Sequence, residues 1–227
     1  MLYMITVNNL TKIYKLGKVE TKALSSVTFD IEKGNIVGLM GKSGSGKTTL
    51  IRQMSLIDRP NDGSIIIDNI DVIGLSEGKR SKLRLNTLGY VFQEYALIPE
   101  LTALENVYLP AMMLGANSTA YKQKAKELLT TVGLENEIFH LPKELSGGQQ
   151  QRVAIARAMI NNPKVIFADE PTANLDSISA KTVMETLQNM NKTTGVTIIF
   201  VSHDPDDKKY ANQLIFLKDG KITEEYV

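Results

Sequence analysis

Residues 36–48 read Ile-Val-Gly-Leu-Met-Gly-Lys-Ser-Gly-Ser-Gly-Lys-Thr, an apolar run followed by a loop rich in glycine and serine. Residues 41–48 match the P-loop pattern of Gly, four residues of any type, Gly-Lys, and Ser or Thr. Glycines let successive backbone N–H groups approach phosphate oxygens, and the positive N-terminus of a following helix adds to this attraction. The order of buried strand, loop and helix therefore predicts a phosphate site on a P-loop NTPase core of the α/β class.

Backbone and side chains of this loop both contribute to the predicted site. Lys47 places a positive charge near the β- and γ-phosphates, Thr48 offers a hydroxyl to Mg²⁺, and Thr49 begins the helix interior. A Gly/Ser-rich linker is the alternative, and the flanking strand and helix argue against it. The predicted nucleotide-binding set is Gly41, Lys42, Ser43, Gly44, Ser45, Gly46, Lys47, Thr48 and Thr49.

A second apolar run, residues 165–168, ends in two carboxylates. Such a run is typical of a central parallel strand, which carries its chemistry at the C-terminal end. Asp169 is suited to hold Mg²⁺ through the water shell of the metal, and Glu170 to polarise the water that attacks the γ-phosphate. A surface acidic pair that closes an ordinary strand is the alternative, and the P-loop in the same chain favours the catalytic interpretation.

The composition is that of a compact nucleotide-binding protein. The 227 residues are 43% hydrophobic and 22% charged, and a net charge of +1 gives no basic footprint for nucleic acid. Without cysteine, the chain has neither disulfides nor thiolate metal sites. Apolar runs such as residues 196–201 are too short to cross a bilayer, and the first residues lack a signal-peptide pattern, so we expect a soluble, unexported protein.

Hydrophobic periodicity predicts the remaining elements. Strands are predicted at residues 4–14, 23–31, 64–68, 88–92 and 196–202, helices between 101 and about 141 and around 180–190, and hairpin turns at Asp68-Asn69 and Asp219-Gly220. We predict one domain, residues 1–227. About 1–93 and 160–227 form the α/β core with an antiparallel β-layer, and about 94–159 form an inserted α-helical lobe.

The order of motifs resembles that of the ATP-binding-cassette (ABC) ATPases over nearly the whole chain. The motifs are residues 41–48, Gln93, Leu145-Ser146-Gly147-Gly148-Gln149, Asp169-Glu170, Asn174-Leu175-Asp176 and His203. Residues 91–93, 101–107 and 145–158 are more specifically similar to the lipoprotein-releasing and macrolide-exporter subfamily, and its cell-division relative is also close. Lys42 stands where many of these relatives carry proline.

The stretch 145–149 carries the expectation of a dimer. Ser146 suits the N-cap of a helix, and Gly147 and Gly148 leave room for a phosphate to approach that helix end. The resemblance implies that Ser146, Gly147, Gly148 and Gln149 bind the γ-phosphate of ATP held by the P-loop of a second copy. Two chains would then close head to tail around two Mg·ATP, whereas an ordinary helix cap is the alternative.

The resemblance implies roles for four further residues. Gln93 would sense Mg²⁺ and the attacking water at the hinge to the helical lobe, and His203 would reach the γ-phosphate. Asp176 would couple the two sites across the dimer interface, and Tyr14 would stack on adenine. The alternatives are an unremarkable strand-end Gln, a strand-end His, a plain helix N-terminal acid and a Tyr packed in the core.

Residues 95–101 are too apolar for a simple exposed loop, and the resemblance places them in a groove for the coupling helix of a membrane subunit; packing within the lobe is the alternative. We therefore predict an ATPase, peripheral at the cytoplasmic face of the cell membrane. It would drive an integral membrane permease that exports or extracts lipoproteins, peptides or drugs. The alternatives are a mechanotransmission ATPase that regulates a cell-wall or division activity, and a soluble P-loop enzyme without a membrane partner.

Overall fold

The computed structural model describes residues 2–17 and 19–223, and this part of the chain forms two β-sheets and six α-helices. Residues 1, 18 and 224–227, which include both ends of the predicted domain, lie outside the described residues. The strands are β1 Tyr3–Leu16, β2 Val19–Glu32, β3 Ile36–Met40, β4 Asp62–Ile67, β5 Ile70–Asp71, β6 Leu88–Val91, β7 Val165–Ala168, β8 Thr197–Ser202, β9 Gln213–Lys218 and β10 Lys221–Thr223. The helices are α1 Lys47–Met54, α2 Glu77–Thr87, α3 Ala103–Met113, α4 Ser118–Thr131, α5 Gly147–Met159 and α6 Ser177–Thr194.

The predicted antiparallel layer is confirmed as a four-stranded sheet of order β2-β1-β4-β5. Alternating residues of β1, among them Ile5 and Val7, are fully buried, as expected of a strand with one face on the core. The turn predicted at Asp68-Asn69 joins β4 to β5, and both residues have positive φ (45° and 67°), as the tight turns of hairpins require.

The second sheet has the order β10-β9-β3-β8-β7-β6, and only its edge hairpin β9-β10 is antiparallel. Every residue of β3, β7 and β8 is buried, which is typical of parallel strands covered on both faces. Because β8 lies between β3 and β7, the loops after these three strands leave the same edge of the sheet. This edge brings the P-loop, Asp169-Glu170 and His203 together.

Helices cover both faces of the parallel sheet. One apolar cluster joins the sheet to α3, α4, α5 and α6, and the other joins it to α1 and the antiparallel layer. Helix α3 begins with a capping box in which Thr102 and Glu105 each bond the other's backbone N–H. The region predicted as helical from residue 101 contains α3 and α4. None of the helices within residues 2–17 and 19–223 is long and apolar enough to span a bilayer.

Helix α2, Glu77–Thr87, is missing from the sequence-based expectations. Its sequence is strongly polar and its one buried residue is Arg80, so it lacks the apolar periodicity that identifies an amphipathic helix. Arg80 instead donates hydrogen bonds to the carbonyl oxygens of Leu56 and Asp58, each at 2.8 Å. Polar contacts with the chain after α1 therefore hold α2 in place.

Candidate active site

The P-loop wraps around its own lysine. Lys47, the first residue of α1, is only 4% exposed, and its Nζ donates to the carbonyl oxygens of Gly41 at 2.7 Å and Lys42 at 3.0 Å. Burial lowers the pKa of Lys47, and the carboxylates of Glu170 and Asp169 oppose that shift. The loop therefore holds a partly desolvated cation beside two carboxylates.

Gly46 shows why this loop needs glycine. It precedes α1 with φ of 106°, and a Cβ at this position would lie 2.5 Å from the backbone carbonyl oxygen of Ala23. Both the positive φ and the close approach of β2 exclude a side chain here. The antiparallel layer is thus in direct contact with the P-loop.

A cavity of about 380 Å³ lies beside the loop and contains most of the predicted nucleotide-binding residues together with Glu170. Its lining residues are Thr21, Lys22, Ala23, Ser43, Gly44, Gly46, Lys47, Thr48, Thr49, Glu170 and Asp219. Ser45 is buried in the loop, and its hydroxyl has no hydrogen-bond partner among the residues that the structure describes. The three β2 residues and Asp219 were not predicted as site residues, because only tertiary packing brings them to the loop.

Asp169 is held by two hydroxyl groups. Thr48 Oγ1 donates to its Oδ1, and the phenol of Tyr90 donates to its Oδ2, each at 3.2 Å. Burial raises the pKa of Asp169, and these two hydrogen bonds oppose the rise. Burial and the neighbouring carboxylate also raise the pKa of Tyr90. Carboxylate and hydroxyl oxygens are ligands that suit Mg²⁺, so Thr48 and Asp169 fit the predicted metal role.

Tyr90 is a site residue that sequence reasoning missed. It lies on β6 opposite Phe167 of β7, and its ring packs on Phe92 with a centroid distance of 4.4 Å. A phenol in a mostly apolar strand beside the acidic strand is a possible signal, but only the register of β6 on β7 shows that it reaches Asp169.

Glu170 and His203 face each other at the carboxyl edge of the sheet. Glu170 Oε2 lies 3.7 Å from His203 Nδ1, and both residues line a cavity of about 290 Å³ together with Lys42 and Ser43. Glu170 has φ of 45°, a left-handed conformation that costs a residue other than glycine about 1–2 kcal/mol. The backbone is therefore strained at the residue that carries the predicted base.

The predicted helix cap at residue 146 is present. Ser146 Oγ accepts from the N–H of Gln149 at 3.3 Å, while Gln149 Oε1 accepts from the N–H of Ser146 at 2.9 Å. Gln149 Nε2 donates to Glu137 at 3.1 Å, so both ends of this amide are engaged within the chain. A Cβ on Gly147 would lie 2.7 Å from the Tyr95 hydroxyl, and one on Gly148 would lie 2.9 Å from Ser179 Cβ. Ser179 of the same chain therefore already disfavours a side chain at Gly148, whereas the flexible Tyr95 side chain can move to make room for one at Gly147.

Ser146, Gly147, Gly148 and Gln149 do not line the P-loop cavity of their own chain, and neither do Gln93, Asp176 and Tyr14. Gln93 is exposed just beyond β6. Asp176 caps α6 by accepting from two backbone N–H groups at 3.0 Å, and the Ser179 hydrogen bonds are the main cause of its lowered pKa. Tyr14 is 43% exposed, donates to Asp58 at 3.0 Å and pairs across the sheet with Thr21, which does line the cavity.

The apolar segment 95–101 is fixed by polar side chains from two helices. The Arg157 guanidinium of α5 donates to the carbonyl oxygens of Tyr95 at 2.8 Å and Ala96 at 2.6 Å, where φ is positive at both residues. Buried Asn106 of α3 accepts from the N–H of Ile98 at 2.8 Å and donates to its carbonyl oxygen at 3.1 Å. The segment is thus an ordered surface feature between α3 and α5.

Comparison with known proteins finds relatives that cover the whole length of the chain. Residues 24–173 match the sequence profile of the family described as ABC transporter. The chain is 43% identical over 220 residues to the lipoprotein-releasing system ATP-binding protein LolD of Syntrophotalea carbinolica, which covers 97% of both chains. It is 42% identical over 224 residues to the macrolide export ATP-binding/permease protein MacB of Syntrophobacter fumaroxidans, over 98% of this chain and 31% of that protein.

A solved structure is also similar over nearly the whole chain. It is the dimeric, post-hydrolysis structure of the ATP-binding cassette MJ0796, a protein of Methanocaldococcus jannaschii, bound to ADP and Pi. The TM-score is 0.91 and the sequence identity 41%, with 98% of each chain covered.

Proposed function

Because the chain belongs to the ABC transporter family of ATP-binding proteins, we propose that it hydrolyses ATP in the P-loop cavity and uses the energy to drive membrane permease subunits. It is an ATP-binding and ATP-hydrolysing subunit of an ABC transporter. One observation carries the assignment of the site. Lys47, Thr48 and Glu170 line one cavity, and Thr48 is hydrogen-bonded to Asp169.

In the proposed nucleotide complex, residues 41–49 surround the phosphates. The Lys47 ammonium group, which already lies under the loop, exchanges its bonds to backbone carbonyl oxygens for bonds to β- and γ-phosphate oxygens. Tyr14 is exposed beside the cavity-lining Thr21, and its ring offers a face for adenine.

Thr48 and Asp169 would hold Mg²⁺, with Gln93 contributing from the end of β6. Bound Mg²⁺ would neutralise charge on the phosphate oxygens.

For hydrolysis, the Glu170 carboxylate accepts a hydrogen bond from a water molecule and takes its proton as the water oxygen attacks the γ-phosphorus. The bond between this phosphorus and the β,γ-bridging oxygen breaks, which releases ADP and phosphate. His203 lies beside Glu170 and donates to the γ-phosphate, so that attacking water and phosphate remain aligned.

We infer that two copies associate head to tail, as the similar cassette in the MJ0796 structure is dimeric. The N-terminus of α5 with Ser146, Gly147 and Gly148 supplies backbone N–H groups to the phosphate bound by the partner copy. Gln149 joins this contact by giving up one of its two bonds within the chain. Asp176, the N-cap residue of α6, couples the two sites across the interface.

The proposed organisation is a single domain, residues 1–227, with an α/β core and a helical lobe at about 94–159. The ordered apolar segment 95–101 offers a surface for the coupling helix of a permease, at the cytoplasmic face of the membrane. The similarity to LolD and MacB supports export or extraction of a lipoprotein, peptide or drug as the work performed.

The test is to identify the membrane partner. The Glu170→Gln variant keeps the P-loop and loses the base, so with ATP it should hold the closed dimer on its permease during purification from native membranes. Lys47→Ala, which should not bind ATP, is the matched control. Recovery by mass spectrometry of a polytopic membrane protein with Glu170→Gln alone supports the proposal. Its absence, with the ATP-bound dimer intact, would favour an ATPase that works without a permease.

A further inference from the structure

Asp207 is a buried carboxylate next to the active site that the proposed mechanism does not use. It lies in the short 3-10 helix Pro205–Tyr210 and is 8% exposed, whereas its neighbour Asp206 is exposed. Its Oδ2 accepts a hydrogen bond from Ser202 Oγ at 2.7 Å and another from Thr172 Oγ1 at 3.5 Å. One oxygen atom therefore connects the end of β8 with the turn that follows β7.

These contacts surround the two residues proposed to align and activate the water. Ser202 immediately precedes His203, and its hydroxyl oxygen also accepts from the backbone N–H of Asp204 at 3.0 Å. Thr172 comes two residues after Glu170, in the turn after β7. Asp207 is therefore hydrogen-bonded to one loop on each side of the 3.7 Å contact between His203 and Glu170.

The open space between the two loops increases the structural importance of the hydrogen bonds to Asp207. A cleft of about 310 Å³ runs between them and is lined by residues of both, including Glu170, Thr172, His203 and Asp207. Where a cleft separates two segments, side-chain packing does little to set their spacing. The hydrogen bonds through Asp207 then add to the pairing of β7 with β8 in setting how far apart the loops lie.

Burial of this carboxylate has a cost for folding. Desolvation raises the pKa of Asp207, and the hydroxyls of Ser202 and Thr172 only partly oppose the rise; the nearby Asp204 adds to it and Lys209 opposes it. An acid whose pKa is raised on folding favours the folded state below its ordinary pKa and disfavours it at neutral pH. A costly buried charge beside an active site is typical of a residue retained for function.

We infer that Asp207 is a positioning residue for ATP hydrolysis. Its carboxylate ties the turn after Glu170 to Ser202, the residue before His203, and so positions the imidazole relative to the base. The inference rests on the proposed roles of Glu170 and His203, and it assigns Asp207 no contact with ATP.

The test compares Asp207→Val, Asp207→Asn and the matched control Asp206→Asn, which changes an exposed carboxylate of the same 3-10 helix. Loss of the link should lower kcat of Asp207→Val about tenfold, because misalignment of reacting groups acts on the chemical step, while KM for ATP stays within about twofold. The melting temperature should stay the same or rise, since a costly buried charge is removed. Asp207→Asn retains an acceptor oxygen and should keep kcat within about threefold of the wild-type value, as should the control.

Wild-type kcat in Asp207→Val would overturn the inference. If Asp207→Val melts at a lower temperature than the wild type, Thr172→Val distinguishes lost positioning from lost stability, because it removes only the bond between the loops. A reduced kcat at an unchanged melting temperature supports positioning, whereas wild-type kcat contradicts it. Glu170→Gln and His203→Ala, assayed in parallel, distinguish a failure of the proposed mechanism from a failure of the inference on Asp207. If both keep wild-type kcat, the proposed mechanism fails, and if both lose it while the Asp207 and Thr172 variants do not, only this inference fails.

Discussion

Replacement of Tyr90 by phenylalanine should raise the magnesium concentration needed for half-maximal hydrolysis without abolishing catalysis. The phenol donates to Asp169 Oδ2 at 3.2 Å, and the ring packs on Phe92, so the substitution removes one hydrogen bond and leaves the packing in place. A hydrogen bond to a charged group contributes about 1.5–3 kcal/mol. The distance is long for a bond to a carboxylate, and Thr48 remains as a second donor, so we expect the lower end of that range.

About 1.4 kcal/mol corresponds to a tenfold change in an equilibrium constant. The magnesium concentration for half-maximal hydrolysis should therefore rise about tenfold in Tyr90→Phe, because Asp169 is held less firmly in position. At saturating magnesium, kcat should remain within about threefold of the wild-type value. The assay titrates magnesium at an ATP concentration far below that of the metal, with phosphate release as the readout.

Tyr108→Phe is the matched control. This substitution removes a phenol from α3, where the Tyr108 ring pairs with Tyr121 at a centroid distance of 5.1 Å and does not line the P-loop cavity. It should leave the magnesium dependence unchanged. If Tyr90→Phe folds normally and also keeps the wild-type magnesium dependence, then the contact between Tyr90 and Asp169 does not serve metal binding.

Three further substitutions test other parts of the structure. Two lysines hold the pKa of Asp68 below its usual value, so Asp68→Asn should cost about 0.5–1 kcal/mol of stability at pH 7. This difference should shrink as the pH of the melts falls below the ordinary aspartate pKa of about 3.9, and it should vanish below the lowered pKa of the folded protein, where the wild-type carboxylate is protonated. Lys47→Ala should lower ATP turnover and ATP binding together, with turnover down about a hundredfold, and wild-type hydrolysis would remove Lys47 from the site. Gly46→Ala should cost about 3 kcal/mol in denaturant unfolding, because its Cβ meets a backbone carbonyl oxygen of β2, whereas Gly44→Ala, which has positive φ but open space, should cost about 1 kcal/mol.

Motifs and periodicity together predicted most of the fold. The buried strand β3, the acidic strand β7 and the N-cap at Ser146 lie where the sequence placed them, because each depends on residues close in the chain. Helix α2 was missed because its sequence is strongly polar and its buried residue is Arg80, although Leu83 also packs against the apolar core.

The residues missed in the site share one physical cause. Tyr90 reaches Asp169 only through the register of two strands that are far apart in the sequence. Lys22 lines the cavity only because the antiparallel layer packs against the P-loop. Sequence spacing carries no information on either arrangement. The roles of Gln93, Asp176 and Tyr14 stay predictions, since a single chain without nucleotide does not bring these residues to the phosphates.

The central claim is that two copies of this chain close around ATP and that Glu170 then drives hydrolysis. Light scattering on Glu170→Gln with and without ATP tests it most directly. We expect the mass of the 25.1 kDa chain without ATP and about twice that mass with ATP, since binding persists while the bond-breaking step is blocked. Lys47→Ala in the same background should stay monomeric. A Glu170→Gln variant that binds ATP and remains a monomer would contradict the account.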